Sequence, residues 1–225
     1  MNGEPMKIIV VKIGGSTLSG QDTTLEDLVT LQKGGVIPVV VHGGGQAISD
    51  WLSRMGIATQ FKKGLRVTDA QSLEVVMAVL AGLINKELVA EIGHLGGKAL
   101  GLSGLDGQLI QARVHDPKLG YVGEIEKVNL EPLQAILGAG YIPVIAPLAS
   151  LSGMETAGSP KKALNVNADT AAGEIAAALG GEKLIFLTDV PGISDGEGGL
   201  IPHLSPEEAR GLISSGVASG GMIPK

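Results

Sequence analysis

The sequence predicts an α/β fold, a three-layer α/β/α sandwich with a mainly parallel central sheet. Three observations carry this reading. Apolar runs rich in β-branched residues, KIIVVKI at Lys7–Ile13 and IPVVV at Ile37–Val41, read as strands buried on both faces. Segments with helical spacing of apolar residues alternate with such strands along the chain. Several strands run straight into turns, Gly14-Gly15, Gly43-Gly44-Gly45 and Thr188–Gly192. In parallel α/β sheets ligands lie beyond the carboxyl ends of the strands, so the Gly14, Gly44 and Asp189 turns are expected along one edge.

The elements follow in order. The Lys7–Ile13 strand ends at Gly14-Gly15-Ser16-Thr17. Lys12, near its end, reads equally as a lysine snorkelling from the strand or as a cation aimed into a site beside Gly14 and Gly15. Thr23–Gln32 is a helix with Thr23 or Thr24 as N-cap and Glu26 in the first turn. After Ile37–Val41 comes His42-Gly43-Gly44-Gly45, and then Ala47, Ile48, Trp51, Leu52 and Met55 mark one apolar helix face. A strand that turns through glycines into a helix bares N–H groups at the positive end of the helix dipole: a phosphate site, or a tight turn without a ligand. Ala58–Val67 is polar and basic, a loop or hairpin, in which Arg66 is a surface charge or a fork for a carboxylate.

Thr68 or Asp69 caps a long helix running to about His94, apolar on more than one face and therefore buried in a core or between subunits. Lys98–Leu102 is a strand closed by Ser103–Gly107. Leu109–Arg113 and Tyr121–Val128 alternate like hairpin strands, with His115-Asp116-Pro117 in the connecting turn. Leu130–Leu137 is a helix, Ile142–Ala146 a strand, Leu148–Pro160 a loop, and Asn167–Leu179 an alanine-rich helix with Asn167 as N-cap. Lys183–Leu187 is a strand ending in the Thr188–Gly192 turn. Ser205 caps a helix to Ile213, with Pro206 at its first position and Glu207 and Glu208 in its first turn. With no linker, low-complexity tract or repeat, residues 1–225 are expected to form a single domain.

Composition excludes several classes. A net charge of −6 without a basic cluster, and only 2% aromatic residues, argue against a nucleic-acid or anionic-membrane partner. With no cysteine there is no thiolate nucleophile, disulfide or Cys-based metal site. No apolar run reaches the roughly 18 to 20 residues of a membrane span, and the amino terminus does not resemble a signal peptide, so a cytoplasmic location is expected. P-loop, H-E-x-x-H and G-x-S-x-G motifs are absent. The histidines at 42, 94, 115 and 203 lack ligand spacing and read as packing or surface residues, so no protein-held metal is expected. Two Gly-rich turns, the cations Lys12 and Arg66, and the Asn-x-Asn-x-Asp run at Asn165–Asp169 together describe a site for a highly anionic substrate.

These blocks carry a resemblance. VVKIGGS (Val10–Ser16), VVVHGGGQAISDWL (Val39–Leu52), KKGLRVTD (Lys62–Asp69), NKELV (Asn85–Val89), GLSGLDG (Gly101–Gly107), GYVGEIEKVN (Gly120–Asn129), NVNAD (Asn165–Asp169), LTDVPGI (Leu187–Ile193) and SGGMIPK (Ser219–Lys225) follow one another in the order found in the amino acid kinase family, which the chain resembles over nearly its whole length. The resemblance implies a carbamate-kinase-like sandwich and phosphoryl transfer from ATP with Mg²⁺ to the γ-carboxylate of N-acetyl-L-glutamate. It implies that Lys12 and Lys225 neutralise the transferring phosphoryl group, with Asp169 orienting both. Gly44 and Gly45 match backbone donors to acceptor and phosphoryl oxygens, Gly14 and Gly15 the first loop near the phosphates, Arg66 the clamp on the substrate's α-carboxylate, and Asn165 a polar substrate contact. Asp189, Val190, Pro191, Gly192, Ile193 and Ser194, with Val217, Ala218 and Ser219, match nucleotide-pocket segments.

The resemblance also implies a homodimer through the Thr68–His94 helix and, since few residues precede the first strand, the type insensitive to arginine. Family members continue beyond the lysine matched by Lys225, so a C-terminally truncated domain is expected. The alternatives are a family kinase acting on carrier-protein-linked aminoadipate or glutamate, which GLSGLDG also fits, and a non-catalytic nucleotide or amino-acid binder. A dinucleotide oxidoreductase fits less well, because His42–Gly45 lacks a full G-x-G-x-x-G.

Overall fold

The computed structural model describes residues 7–14, 23–153, 162–188, 190, 192–197, 199–218 and 222. Its centre is a five-stranded sheet made of β1 (Ile8–Ile13), β2 (Ile37–His42), β5 (Ala99–Ser103), β8 (Ile142–Ala146) and β11 (Lys183–Leu187), in the order β11-β1-β2-β8-β5. Every pairing in it is parallel. Because side chains alternate across a strand, Ile9, Val11 and Ile13 of β1 face one layer and Val10 the other. Val39, Val40 and Val41 of β2 are all fully buried, as expected of a strand covered on both faces.

One covering layer contains α1 (Thr24–Lys33), α2 (Gly45–Arg54) and the long helix. The long helix is not uniform: α3 (Ala70–Met77) passes through a π-helical segment, Ala78–Ile84, into α4 (Asn85–His94). Its cap is Asp69, whose side chain accepts from the Ser72 N–H at 2.7 Å. Thr23 stands at the N-cap of α1 but makes no side-chain capping bond; its hydroxyl donates to Asp27 instead.

The opposite layer contains α5 (Glu131–Gly138), α6 (Ala168–Leu179) and a second sheet. That sheet has β6 (Ile110–Val114), β7 (Gly123–Val128), β9 (Leu148–Leu151) and β10 (Ala163–Asn165), in the order β10-β9-β6-β7. β9 corrects the expectation of a loop from Leu148 onward. Leu148 and Ala149 are buried and pair with β10, a partner distant in sequence that local pattern does not reveal. The Phe61–Lys62 (β3) and Leu65–Arg66 (β4) strands form a separate hairpin. Beyond β11 the chain makes a tight excursion, with Ser194 bridging Leu200, and reaches α7 (Pro206–Ser214), which has the expected capping box between Ser205 and Glu208.

Gly104 links β5 to β6 where the two sheets meet. A Cβ there would lie 1.9 Å from the Leu148 carbonyl oxygen and 2.8 Å from Ile110. Backbone oxygen in a sheet cannot yield easily, so Gly104→Ala is expected to destabilise the fold by about 2–4 kcal/mol. Urea unfolding at constant m-value measures this; an unchanged midpoint would refute it.

Candidate functional site

Strand register sets the site. Lys12 lies opposite Val41 and Ile13 opposite His42, so the end of β1 stands beside the glycine turn that follows β2. Alternation puts Lys12 on the same face as Val10, the face covered by α6. Asn167 caps α6, its side chain accepting from the N–H groups of Asp169 and Thr170 at 2.9 and 3.0 Å. This cap directs the first turn of α6 toward β1. Lys12 Nζ and Asp169 Oδ1 meet at 2.9 Å with both side chains 11% exposed. Asp169 Oδ1 has no other polar partner among the described residues.

The turn itself supplies donors. Gly43 N–H is spent on the Ile13 carbonyl at 2.8 Å. Gly44 is the N-cap of α2 and has no side chain to satisfy the first turn, whose N–H groups have no intrahelical acceptor. A Cβ on Gly44 would come within 2.7 Å of the terminal methyl groups of both Leu80 and Ile84 of the π-helical segment, which would have to shift to admit it.

Arg66 is buried and held from three sides. It donates through Nη2 to the Gly45 carbonyl at 2.7 Å and the Ser49 hydroxyl at 2.9 Å, and through Nη1 to Thr59 at 3.4 Å, while its guanidinium lies 4.6 Å from the Phe61 ring centre. No carboxylate pairs with it among the described residues, and burial pulls its pKa below the ordinary arginine value. It is therefore neither a surface charge nor bonded to a carboxylate of the described residues; it is a desolvated cation beside a cavity, and a guanidinium stays protonated.

The cavity, about 230 Å³, is lined by Lys12, Gly43, Gly44, Gly45, Phe61, Arg66, Val122, Pro147, Asn165 and Asp169, among others. The structure thus brings together Lys12, Asp169, Gly44, Gly45, Arg66 and Asn165, which are far apart in sequence. Gly14 stands at the same sheet edge, bonded through its N–H to the Leu187 carbonyl at 3.0 Å. Val190, Gly192, Ile193 and Ser194 follow β11 at that edge, and Val217, just before the buried Ala218, lies against Gly196, but none of these lines the cavity. Gly15, Asp189, Pro191, Ser219 and Lys225 lie outside the described residues.

Two supporting residues escape the sequence reading. Thr68, fully buried, donates to the Arg66 carbonyl at 2.8 Å and accepts from Asn165 Nδ2 at 3.3 Å, tying two cavity residues together. Asn85, also fully buried, shares the two protons of Nδ2 among Val144 O at 2.8 Å, Leu102 O at 3.3 Å and His42 Nε2 at 3.2 Å. Thr68 was open to reading as a helix cap, and Asn85 sits in the NKELV block without any spacing signal for a role.

A model of the amino acid kinase family matches residues 7–225. The chain belongs to this family. It is 45% identical over 218 residues to the acetylglutamate kinase of Dehalococcoides mccartyi strain 195, covering 97% of this chain and 80% of that one. With the acetylglutamate kinase of Nostoc sp. PCC 7120 it shares 49% identity over 226 residues, 97% and 74% of the two chains. The crystal structure of smu.665 from Streptococcus mutans UA159 superposes with a TM-score of 0.85 at 29% identity, covering 96% and 86%. Among the described residues no helix is long and apolar enough to cross a membrane.

His42 couples this site to pH. Its burial, partly offset by the bond to Gly43 O and reinforced by the charge of Lys86, lowers its pKa from 6.5 to about 4. Between those values the unfolded chain binds the proton and the folded chain does not. The stability from this residue is intact above pH 6.5 and is lost as pH falls toward 4, to a limit of about 3 kcal/mol. The stability difference between wild type and His42→Asn, measured by urea unfolding, is expected to shrink by about that amount from pH 7 to pH 4. A difference constant with pH would refute the linkage.

Proposed function

We propose that this member of the family is an acetylglutamate kinase: it transfers the γ-phosphoryl group of ATP to the γ-carboxylate of N-acetyl-L-glutamate, giving an acyl phosphate, the second step of arginine synthesis by the acetylated route. The observation that carries the proposal is the cavity where Lys12, the amino-terminal end of α2 and Arg66 converge. The curated relatives quoted above, acetylglutamate kinases at 45% and 49% identity, support it.

The physics of the reaction asks for little else. A carboxylate nucleophile has a pKa of about 4.3 and is ionised at pH 7, so no general base is needed. The barrier is the approach of two anions and the charge of a loose phosphoryl transition state, and fixed cations and N–H donors lower it. In this reading Arg66 forks the α-carboxylate, and Asn165 makes a polar contact. The N–H groups of Gly44 and Gly45 hold the acceptor and phosphoryl oxygens, and Lys12 neutralises the group in transit. Asp169 fixes Lys12 and, through the family resemblance, a second lysine at 225. The glycine edge at Gly14 and Gly15 lies near the phosphates. The Asp189–Ser194 and Val217–Ser219 segments take the nucleotide. Mg²⁺ accompanies the phosphates of ATP, its usual mode of binding in kinases, and supplies charge neutralisation there. We also assign the chain to a single domain and to a homodimer through the long helix. Trp51 (39% exposed), Met55 (56%) and Leu83 (37%) leave an apolar surface around Val75 and Val79 for a second copy to cover.

Lys12→Ala and Asp169→Ala are each expected to lower kcat per folded molecule by about 100-fold or more in a coupled ADP-release assay, and also to lower the melting temperature, because each leaves its buried partner unpaired. Near-wild-type kcat in either would remove that residue from the chemistry. Arg66→Ala is expected to raise KM for N-acetyl-L-glutamate by about tenfold or more and to leave KM for ATP nearly unchanged; a shift confined to ATP would refute the clamp. Sedimentation at micromolar concentration is expected to show a dimer, and a monomer would refute the interface.

A further inference from the structure

The hydrogen-bond direction around His42 can be derived without reference to its titration. The carbonyls of Leu102 and Val144 can only accept, and both face the same atom of Asn85. That atom is therefore the amide nitrogen. The other end of the amide, Oδ1, accepts from Lys86 Nζ at 3.0 Å, which agrees. An amide nitrogen cannot accept, so His42 Nε2, 3.2 Å away, faces it through a lone pair and shares the two Nδ2 protons with the two carbonyls. The ring proton is on Nδ1, which donates to the Gly43 carbonyl at 3.0 Å.

The Gly43 carbonyl belongs to the same peptide unit as the Gly44 N–H. A hydrogen bond accepted at one end of an amide polarises the unit and strengthens donation at the other. We propose that His42 and Asn85 are positioning residues that aim and polarise the Gly44 N–H at the cavity, through a relay running from Lys86 by way of Asn85 and His42 to the Gly43–Gly44 peptide. This rests on the proposed role of Gly44 as a donor in phosphoryl transfer. The relay also gives a role to the buried histidine that ends β2, the strand leading into the Gly43–Gly45 turn. Asn85 is anchored to two neighbouring strands, β5 and β8, and so registers the turn after β2 against the rest of the sheet. Gly101 of β5 keeps room for it: a Cβ there would lie 2.0 Å from Asn85 Oδ1.

His42→Leu fills similar space and removes both nitrogens; His42→Asn retains an N–H near the Nδ1 position. His42→Leu is expected to lower kcat by about tenfold or more with both KM values held within about threefold, and His42→Asn to recover most of that loss. Unchanged kcat, a loss confined to KM, or no recovery with asparagine would overturn the proposal. Ring-nitrogen NMR of the wild-type protein from pH 5.5 to 8 needs no variant to fold. It is expected to show the Nδ1–H tautomer throughout; an Nε2–H tautomer or an imidazolium would overturn the relay. Absence of acetylglutamate turnover by the wild type is failure of the functional reading instead, and the tautomer then still decides the relay.

Discussion

The ion pair between Lys12 and Asp169 is the constraint to which the rest of the site answers. An ammonium at the end of a central strand, nearly sealed from water, costs several kcal/mol unless a counter-charge meets it. Asp169 supplies that charge at 2.9 Å, and it can do so only if α6 begins where it does. Asn167 fixes that starting point by capping the helix with its side chain. The parallel pairing of β1 with both β2 and β11 fixes the other partner. A one-residue slip of β1 would turn Lys12 to the opposite layer, toward α1 and α2, away from Asp169, the only buried acid among the described residues. Register, cap and charge therefore specify one another.

Around this pair the cavity stays positive. Lys12 and Asp169 offset each other, while Arg66 and the first turn of α2 have no acidic partner among the described residues. Such an excess is costly as a purely structural device, because a buried guanidinium without a counter-ion among the described residues gains only neutral hydrogen bonds and the face of Phe61. It becomes favourable when an anion enters. The glycines contribute by what they lack. At Gly44 a side chain would displace the terminal methyl groups of Leu80 and Ile84, so the π-helical segment packs directly on the donor turn.

Much of the fold was legible because its strands are short, apolar and followed by punctuation. β1, β2, β8 and β11 were readable from run length and flanking glycine, and the α6 and α7 caps from Asn167 and from Ser205 with Glu208. What escaped depends on partners distant in sequence. β9 and β10 pair with each other across residues that look like loop, and the π-helical turn inside an unbroken apolar pattern leaves no mark on periodicity. The site divides in the same way. Lys12 alone reads two ways, and its meeting with Asp169 depends on a partner 157 positions away that the sequence pattern does not reveal. Family resemblance, not spacing, singled out Arg66 as a carboxylate clamp. Thr68 and Asn85 act through hydrogen bonds that join backbone carbonyls to side chains distant in sequence, so the sequence contains no signature for them.

The last consequence concerns rigidity. Gly45 contributes its carbonyl to Arg66 and its N–H to the open first turn of α2, so the cation and the donors are parts of one helix turn. Thr68 joins the backbone of Arg66 to the side chain of Asn165, and Tyr121 accepts the Asn165 N–H at 2.9 Å while donating its own N–H to Thr68 O at 2.7 Å. These bonds tie the wall of the cavity into a closed circuit across β4, β10 and the segment before β7. An anion with charge at two ends meets both anchors at a fixed separation and loses little further entropy to the protein. An anion with charge at one end leaves either Arg66 or the α2 donors unpaired in a desolvated site. On the proposed reading of Arg66 and the α2 donors as anchors, selectivity for a doubly charged acceptor follows from the stiffness of the scaffold, before any apolar contact with Val122, Pro147 or Phe61 is counted.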